Sequence, residues 1–158
     1  MKGLAALKKE YEKYRKKYKL PRFSELNQEF EIEKIQEKET EFLLREIRRA
    51  ISDKIAAFLR FFELFLNPTT APVFILALLK TLNVRDKELV EKIYHNLVAF
   101  ELTAITLDIV YNEKKEAEFI RYIFKKWQGF KKELIEFSRV IERTKTKARE
   151  KKRKSYFG

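Results

Sequence analysis

Residues 86–111 confine this chain to a helical fold. Leu89, Ile93, Leu97, Phe100, Ala104, Leu107 and Tyr111 recur at intervals of three and four, the spacing of one helical face. From Leu97 onward the other faces are apolar too, through Val98, Leu102, Ile105, Ile109 and Val110. A helix apolar nearly all round belongs inside a bundle, covered from several sides. The expected architecture is an all-α, single-domain bundle of five to six helices, with 86–111 at its centre.

The same periodicity places the other helices. Leu4, Leu7, Tyr11, Tyr14 and Tyr18 form a narrow apolar seam on a first helix over about 4–18; two heptads are too short for an independent coiled coil, so the seam is expected to pack within the chain. Leu20-Pro21 ends that helix, because proline biases the preceding residue to extended backbone. Ser24 is the expected N-cap of a short turn through Phe30. Leu44, Ile47, Ile51, Ile55, Phe58, Phe62 and Phe65 define a long helix over 40–66, stopped at Asn67-Pro68. A short apolar helix over 71–82, capped by Thr70, is expected in the core, with Asn83 after its C-terminus. Asp86 is the expected cap of the central helix. A further helix follows over about 113–128 with Ala117, Ile120, Phe124 and Trp127 inward. Gly129 is expected to stop or kink it before a last helix carrying Phe130, Leu134, Phe137 and Ile141.

Composition sets the class. The chain is 45% hydrophobic with three Gly, three Pro and no Cys. That excludes a disulfide framework and a thiolate metal site, and it leaves too few turn residues for an all-β fold. The longest apolar run, 73–79, is far short of the roughly 20 residues that span a membrane, and no apolar signal segment follows the charged start. A cytoplasmic setting without a membrane partner is the expectation. Abundant Lys and Glu beside scarce Cys, Met and Gln match the balance of hyperthermophile proteins.

Leu20-Pro21-Arg22-Phe23-Ser24-Glu25-Leu26, then Glu29-Phe30-Glu31-Ile32, then Leu44-Arg45-Glu46-Ile47-Arg48-Arg49 resemble the front half of small uncharacterised archaeal helical proteins. The resemblance covers about the first third of the chain. It implies an archaeal, intracellular setting and carries no activity or functional residue.

Little catalytic chemistry is on offer. His95 is the single imidazole, and the glycines (Gly3, Gly129, Gly158) form no phosphate loop. Glu91 and His95 stand four apart but lack the second Glu-x-x-His of a helical di-iron site. No cofactor or metal site is expected. Glu101 and Asp108, seven apart on the apolar half of the central helix, call for partners, because a buried carboxylate must be paired or protonated. Arg60 and Arg121 are the candidates. The pair reads either as an ion pair setting helix register or as a general acid and base. Arg45, Arg48 and Arg49, with Glu41 and Glu46 nearby, read as surface helix pairs.

The charge of +12 is concentrated at the ends. Residues 1–19 hold eight Lys/Arg against two Glu, a net of +6; residues 143–154 hold eight against one, a net of +7. The rest is nearly neutral, although residues 25–41 carry seven Glu against two Lys and could either fold back on the basic helix or serve as a solvated connector. The expected division is a helical domain over 1–142 and a basic tail over 143–158. Such segments bind nucleic acid through phosphate charge. The expected contact residues are Lys9, Lys13 and Lys16 on the first helix, and Arg143, Lys145, Lys147, Arg149, Lys151, Lys152, Arg153 and Lys154 at the end. Tyr156 and Phe157 form an aromatic tip suited to a protein partner's pocket. The tip resembles the aromatic pair of the motif that docks on DNA sliding clamps, without that motif's glutamine and aliphatic position. Three function classes follow: a non-enzymatic accessory protein binding nucleic acid or ribonucleoprotein, a structural or oligomeric protein-interaction module, and an enzyme built on Glu101 and Asp108.

Overall fold

In the computed structural model the described residues are 3–157, with the side chain of Phe157 outside them. They form six α-helices: α1 (Leu4–Tyr18), α2 (Phe23–Phe30), α3 (Leu43–Leu66), α4 (Val73–Leu79), α5 (Val84–Ile109) and α6 (Glu113–Phe157). Two 3-10 turns, Ile32–Glu37 and Pro68–Thr70, complete the order, and no strand occurs among the described residues. The all-α class read from the periodicity is the class observed. The chain contributes to two compact units, 1–58 with 97–128 and 59–96 with 129–158.

The first unit is built on α1, α2, most of α3, the second half of α5 and the start of α6. Leu7 and Tyr11 turn the α1 seam inward, and the Tyr11 hydroxyl donates to the Pro21 carbonyl at 2.7 Å, so its polar tip is satisfied in burial. Lys19 closes α1 in the left-handed region, at φ 55°. The α2 start is capped by Glu25, whose carboxylate accepts from the Arg22 backbone N–H at 2.9 Å, not by Ser24, which is exposed. Leu26, Phe30, Ile32, Ile35, Leu44, Ile47, Ile51 and Ile55 supply the core. Trp127 is buried against the rings of Phe30 and Phe58, at 5.2 and 6.5 Å, and its indole N–H donates to Glu29 at 2.7 Å.

The second unit packs aromatic rings. Phe62 and Phe65 of α3 lie 4.9 and 5.6 Å from Phe137 of α6. Ile75, Leu82, Val90, Ile93, Phe130 and Val140 are buried with them. Lys92 pairs with Glu133 at 2.8 Å, and Arg143 pairs with the buried Asp86.

Four expectations are corrected. The α5 helix buries a single face, Val90, Ile93, Leu97, Phe100, Ala104 and Leu107. Leu102, Ile105, Ile109 and Val110 are exposed, because apolar periodicity on several faces does not supply neighbours for each. The α4 helix is shorter than expected and buries only Ile75, leaving Val73 at 82% and Phe74 at 65% exposure; a two-turn helix can turn only one side inward. Asn83 belongs to the start of α5: its side chain accepts from the Asp86 N–H at 2.8 Å, while Asp86 accepts from the Asn83 N–H at 3.0 Å. This is a reciprocal cap. Gly129 does not stop α6, which runs unbroken over 45 residues. Glycine in a helix costs about 0.5–1 kcal/mol relative to alanine, and Trp127 and Phe130 on either side are each buried, which offsets that cost.

Candidate nucleic-acid interface

The C-terminal cations are organised by the continuation of α6. Apolar inward positions end at Val140, and Thr144 is the last buried residue. Arg143 is held by Asp86 and Lys145 by Glu142. Beyond them the helix continues to residue 157 with each described side chain exposed. The boundary expected between 142 and 143 therefore coincides with no break in the backbone.

Lys147, Arg149, Lys151, Lys152, Arg153 and Lys154 are exposed and enter no ion pair among the described residues. Four of them form two like-charged pairs at i,i+4 spacing, Lys147 with Lys151 and Arg149 with Arg153. Each such pair destabilises an isolated helix by about 0.2–0.5 kcal/mol, so the segment gains stability from any anion that neutralises it. Between and beside these cations stand the small Thr146, Ala148 and Ser155 and one exposed acid, Glu150. Tyr156 is 86% exposed at the tip, and the expectation for Phe157 lies outside the described residues.

The N-terminal lysines are arranged differently. Lys9, Lys13 and Lys16 are exposed on one side of α1, opposite the buried Leu7 and Tyr11. Lys9 and Lys13 border a shallow groove with Ala6, Tyr14, Lys17 and Glu113. Glu113 bonds both Lys17, at 2.8 Å, and the Tyr18 hydroxyl, at 2.6 Å, and these two bonds hold its carboxyl below the ordinary range. These lysines belong to the first unit and residues 143–154 to the second. The acidic 25–41 segment pairs at least partly with itself, Glu31 with Lys34 at 2.6 Å.

The carboxylates singled out on α5 are placed otherwise than expected. Asp108 is half exposed and takes Arg48, at 2.7 Å, as its partner. That hydrogen bond lowers its pKa from the ordinary 3.8. Arg48 is no surface residue: it is 1% exposed and bonds the fully buried Glu116 through two nitrogens, at 2.8 and 3.2 Å. Burial alone would lower the Arg48 pKa, but its bonds to Glu116 and Asp108 raise it. Arg45 approaches Glu116 at 3.6 Å and stacks over the Tyr111 ring at 4.9 Å. Glu116 sits in a run of charges, Glu-Lys-Lys-Glu, that looks solvated; only its i+4 spacing to the inward Ile120 hinted at burial. One oxygen of Glu101 is buried without a hydrogen-bond partner among the described residues. Arg60 is exposed, and Arg121 donates to the Tyr18 carbonyl at 3.4 Å. His95 is exposed, 5.8 Å from the Tyr94 ring. Among the described residues no group of three or more His, Cys, Asp or Glu is placed to hold a metal, and no helix is long and apolar enough to cross a membrane.

The described residues thus form an all-α fold whose last helix, α6, carries exposed cations beyond its last buried residue. No family model matches the chain, no curated protein matches it, and no solved structure matches it.

Proposed function

We propose that the protein is a non-enzymatic nucleic-acid-binding accessory protein that engages phosphates through the end of α6. One observation carries the reading: six cations without ion-pair partners stand on a helix that continues past the last buried residue of its unit. A free helix end of this charge repels itself, and a polyphosphate relieves the repulsion while its condensed counterions are released. The lysine face of α1 offers a second, one-sided phosphate contact.

The test is binding of a labelled duplex by fluorescence anisotropy across a salt series. With six phosphates neutralised, log K against log salt should fall with a slope of about −5. A chain ending at Thr146 should lose most of that slope. The cut falls after Thr144 because Arg143 and Thr144 serve the fold of the second unit, so removal of the whole 143–158 segment would confound binding with stability. Affinity that ignores salt, or that survives both the truncation and Lys9, Lys13 and Lys16→Gln, refutes the proposal.

A protein-interaction module is the second reading, supported by the exposed Leu102, Ile105 and Ile109 on α5. Contiguous exposed apolar surface marks interaction sites more often than chance. A pull-down from the source cell with and without nuclease separates the two: partners lost with nuclease support the first, partners retained support the second.

A further inference from the structure

Resting on the nucleic-acid reading, we infer that the partner of the α6 end is B-form duplex DNA, with the helix lying in the major groove. The inference comes from how the cations are distributed around the helix axis. At 3.6 residues per turn, Lys147, Lys151 and Lys154 fall within about 60° of one another. Arg149, Lys152 and Arg153 occupy the opposite side, and no sector wider than about 100° lacks a cation.

A partner met from one side would use only half of that charge. A flat lipid surface or the outside of a duplex touches one face of a helix and leaves the opposite three cations in solvent. The lysines of α1, confined to one side, are suited to such a contact; the end of α6 is not. A partner that uses both sides must have two walls of phosphate with room for a helix between them. The B-DNA major groove is about 12 Å wide and admits an α-helix, whose diameter with side chains is about 10–12 Å. The small Ala148 and Ser155 keep one gap between the cations slim, and the other holds Thr146 and the single acid, Glu150.

Other nucleic acids fit less well. The A-form major groove of duplex RNA is too deep and narrow for side chains to read. Single strands are held on aromatic platforms that stack bases; no aromatic residue is interleaved with the cations from Arg143 through Lys154, and Tyr156 and Phe157 stand beyond the last of them. Length agrees as well: residues 145–156 span about 18 Å at 1.5 Å per residue, within one turn of duplex, about 34 Å.

The test uses the full chain with three probes of one sequence: a 20-base-pair DNA duplex, the matching RNA duplex and the single DNA strand. The DNA duplex should bind about tenfold more tightly than either of the others, all at one low salt concentration. Two triple variants then probe the two sides, K147Q with K151Q and K154Q, and R149Q with K152Q and R153Q. Each should cut the DNA salt slope by about half, from about −5 to about −3. All six positions are exposed, and circular dichroism of each variant checks the fold. Equal or tighter binding of RNA duplex or single strand overturns the groove assignment while sustaining the nucleic-acid reading. So does loss confined to one triple variant, which marks a one-sided contact. Absence of binding to all three probes overturns both.

Discussion

Replacing Arg48 by methionine should be among the most damaging single changes in the first unit, for a reason that can be worked from distances. Glu116 has no exposed surface. It receives two hydrogen bonds from Arg48, at 2.8 and 3.2 Å, and a weaker approach from Arg45 at 3.6 Å. Removing one partner of a buried ion pair costs about 3–5 kcal/mol, because the other charge is left uncompensated. Arg45 can take up part of the charge, which places the expected loss near the low end, about 3 kcal/mol. Urea denaturation reads this directly: with a slope of about 2 kcal/mol per molar, the midpoint should fall by about 1.5 M. Arg48→Met combined with Glu116→Leu should recover most of the loss, since an apolar replacement of a whole buried pair is often neutral or stabilising. The half-exposed Asp108 is resolvated in either variant, so it adds little. A midpoint shift worth less than about 0.5 kcal/mol, the range of ordinary surface sites, would refute the burial argument. A double variant as unstable as the sum of the two single ones would refute the pairing.

Gly129→Ala should stabilise the chain by about 0.5–1 kcal/mol in thermal or urea unfolding, because Gly129 lies inside a continuous helix with nothing within 4 Å of where a Cβ would stand; destabilisation would mean that the glycine is needed for a bend. Stability should also fall on acidification, and the sign follows from Asp108 and Glu113. Both have folded pKa values below their ordinary 3.8 and 4.5, so their contribution is fully present above about pH 5 and lost as pH drops through and below the ordinary values; the dependence of Tm on pH between about 5 and 3 should be shallower in Asp108→Asn, and an unchanged profile would refute the assignment.

Helices were legible in this chain because their signal is local. The stepping of Leu4 to Tyr18, of Leu44 to Phe65 and of Leu89 to Tyr111 is set by residues a few positions apart, and α1, α3 and α5 form where those patterns lie. The concentration of cations at the two ends is likewise a property of sequence alone. What the local pattern lacks is any record of neighbours. Leu102 and Ile105 are as apolar as Leu97 and Phe100, yet they face solvent because nothing described packs on that side of α5. Gly129 and Asn83 carry breaking and capping signals that two contexts can use; burial of Trp127 and Phe130 carried the helix through the first, and Asp86 drew the second into the start of α5. Arg48 reads as one more surface charge between Arg45 and Arg49. It is buried because Glu116, 68 residues away in sequence, meets it on another helix, and no spacing rule reaches that far. For the basic end, the count of charges was visible beforehand. Their arrangement on every side of one exposed rod was decided by α6 continuing as a helix beyond its last buried residue.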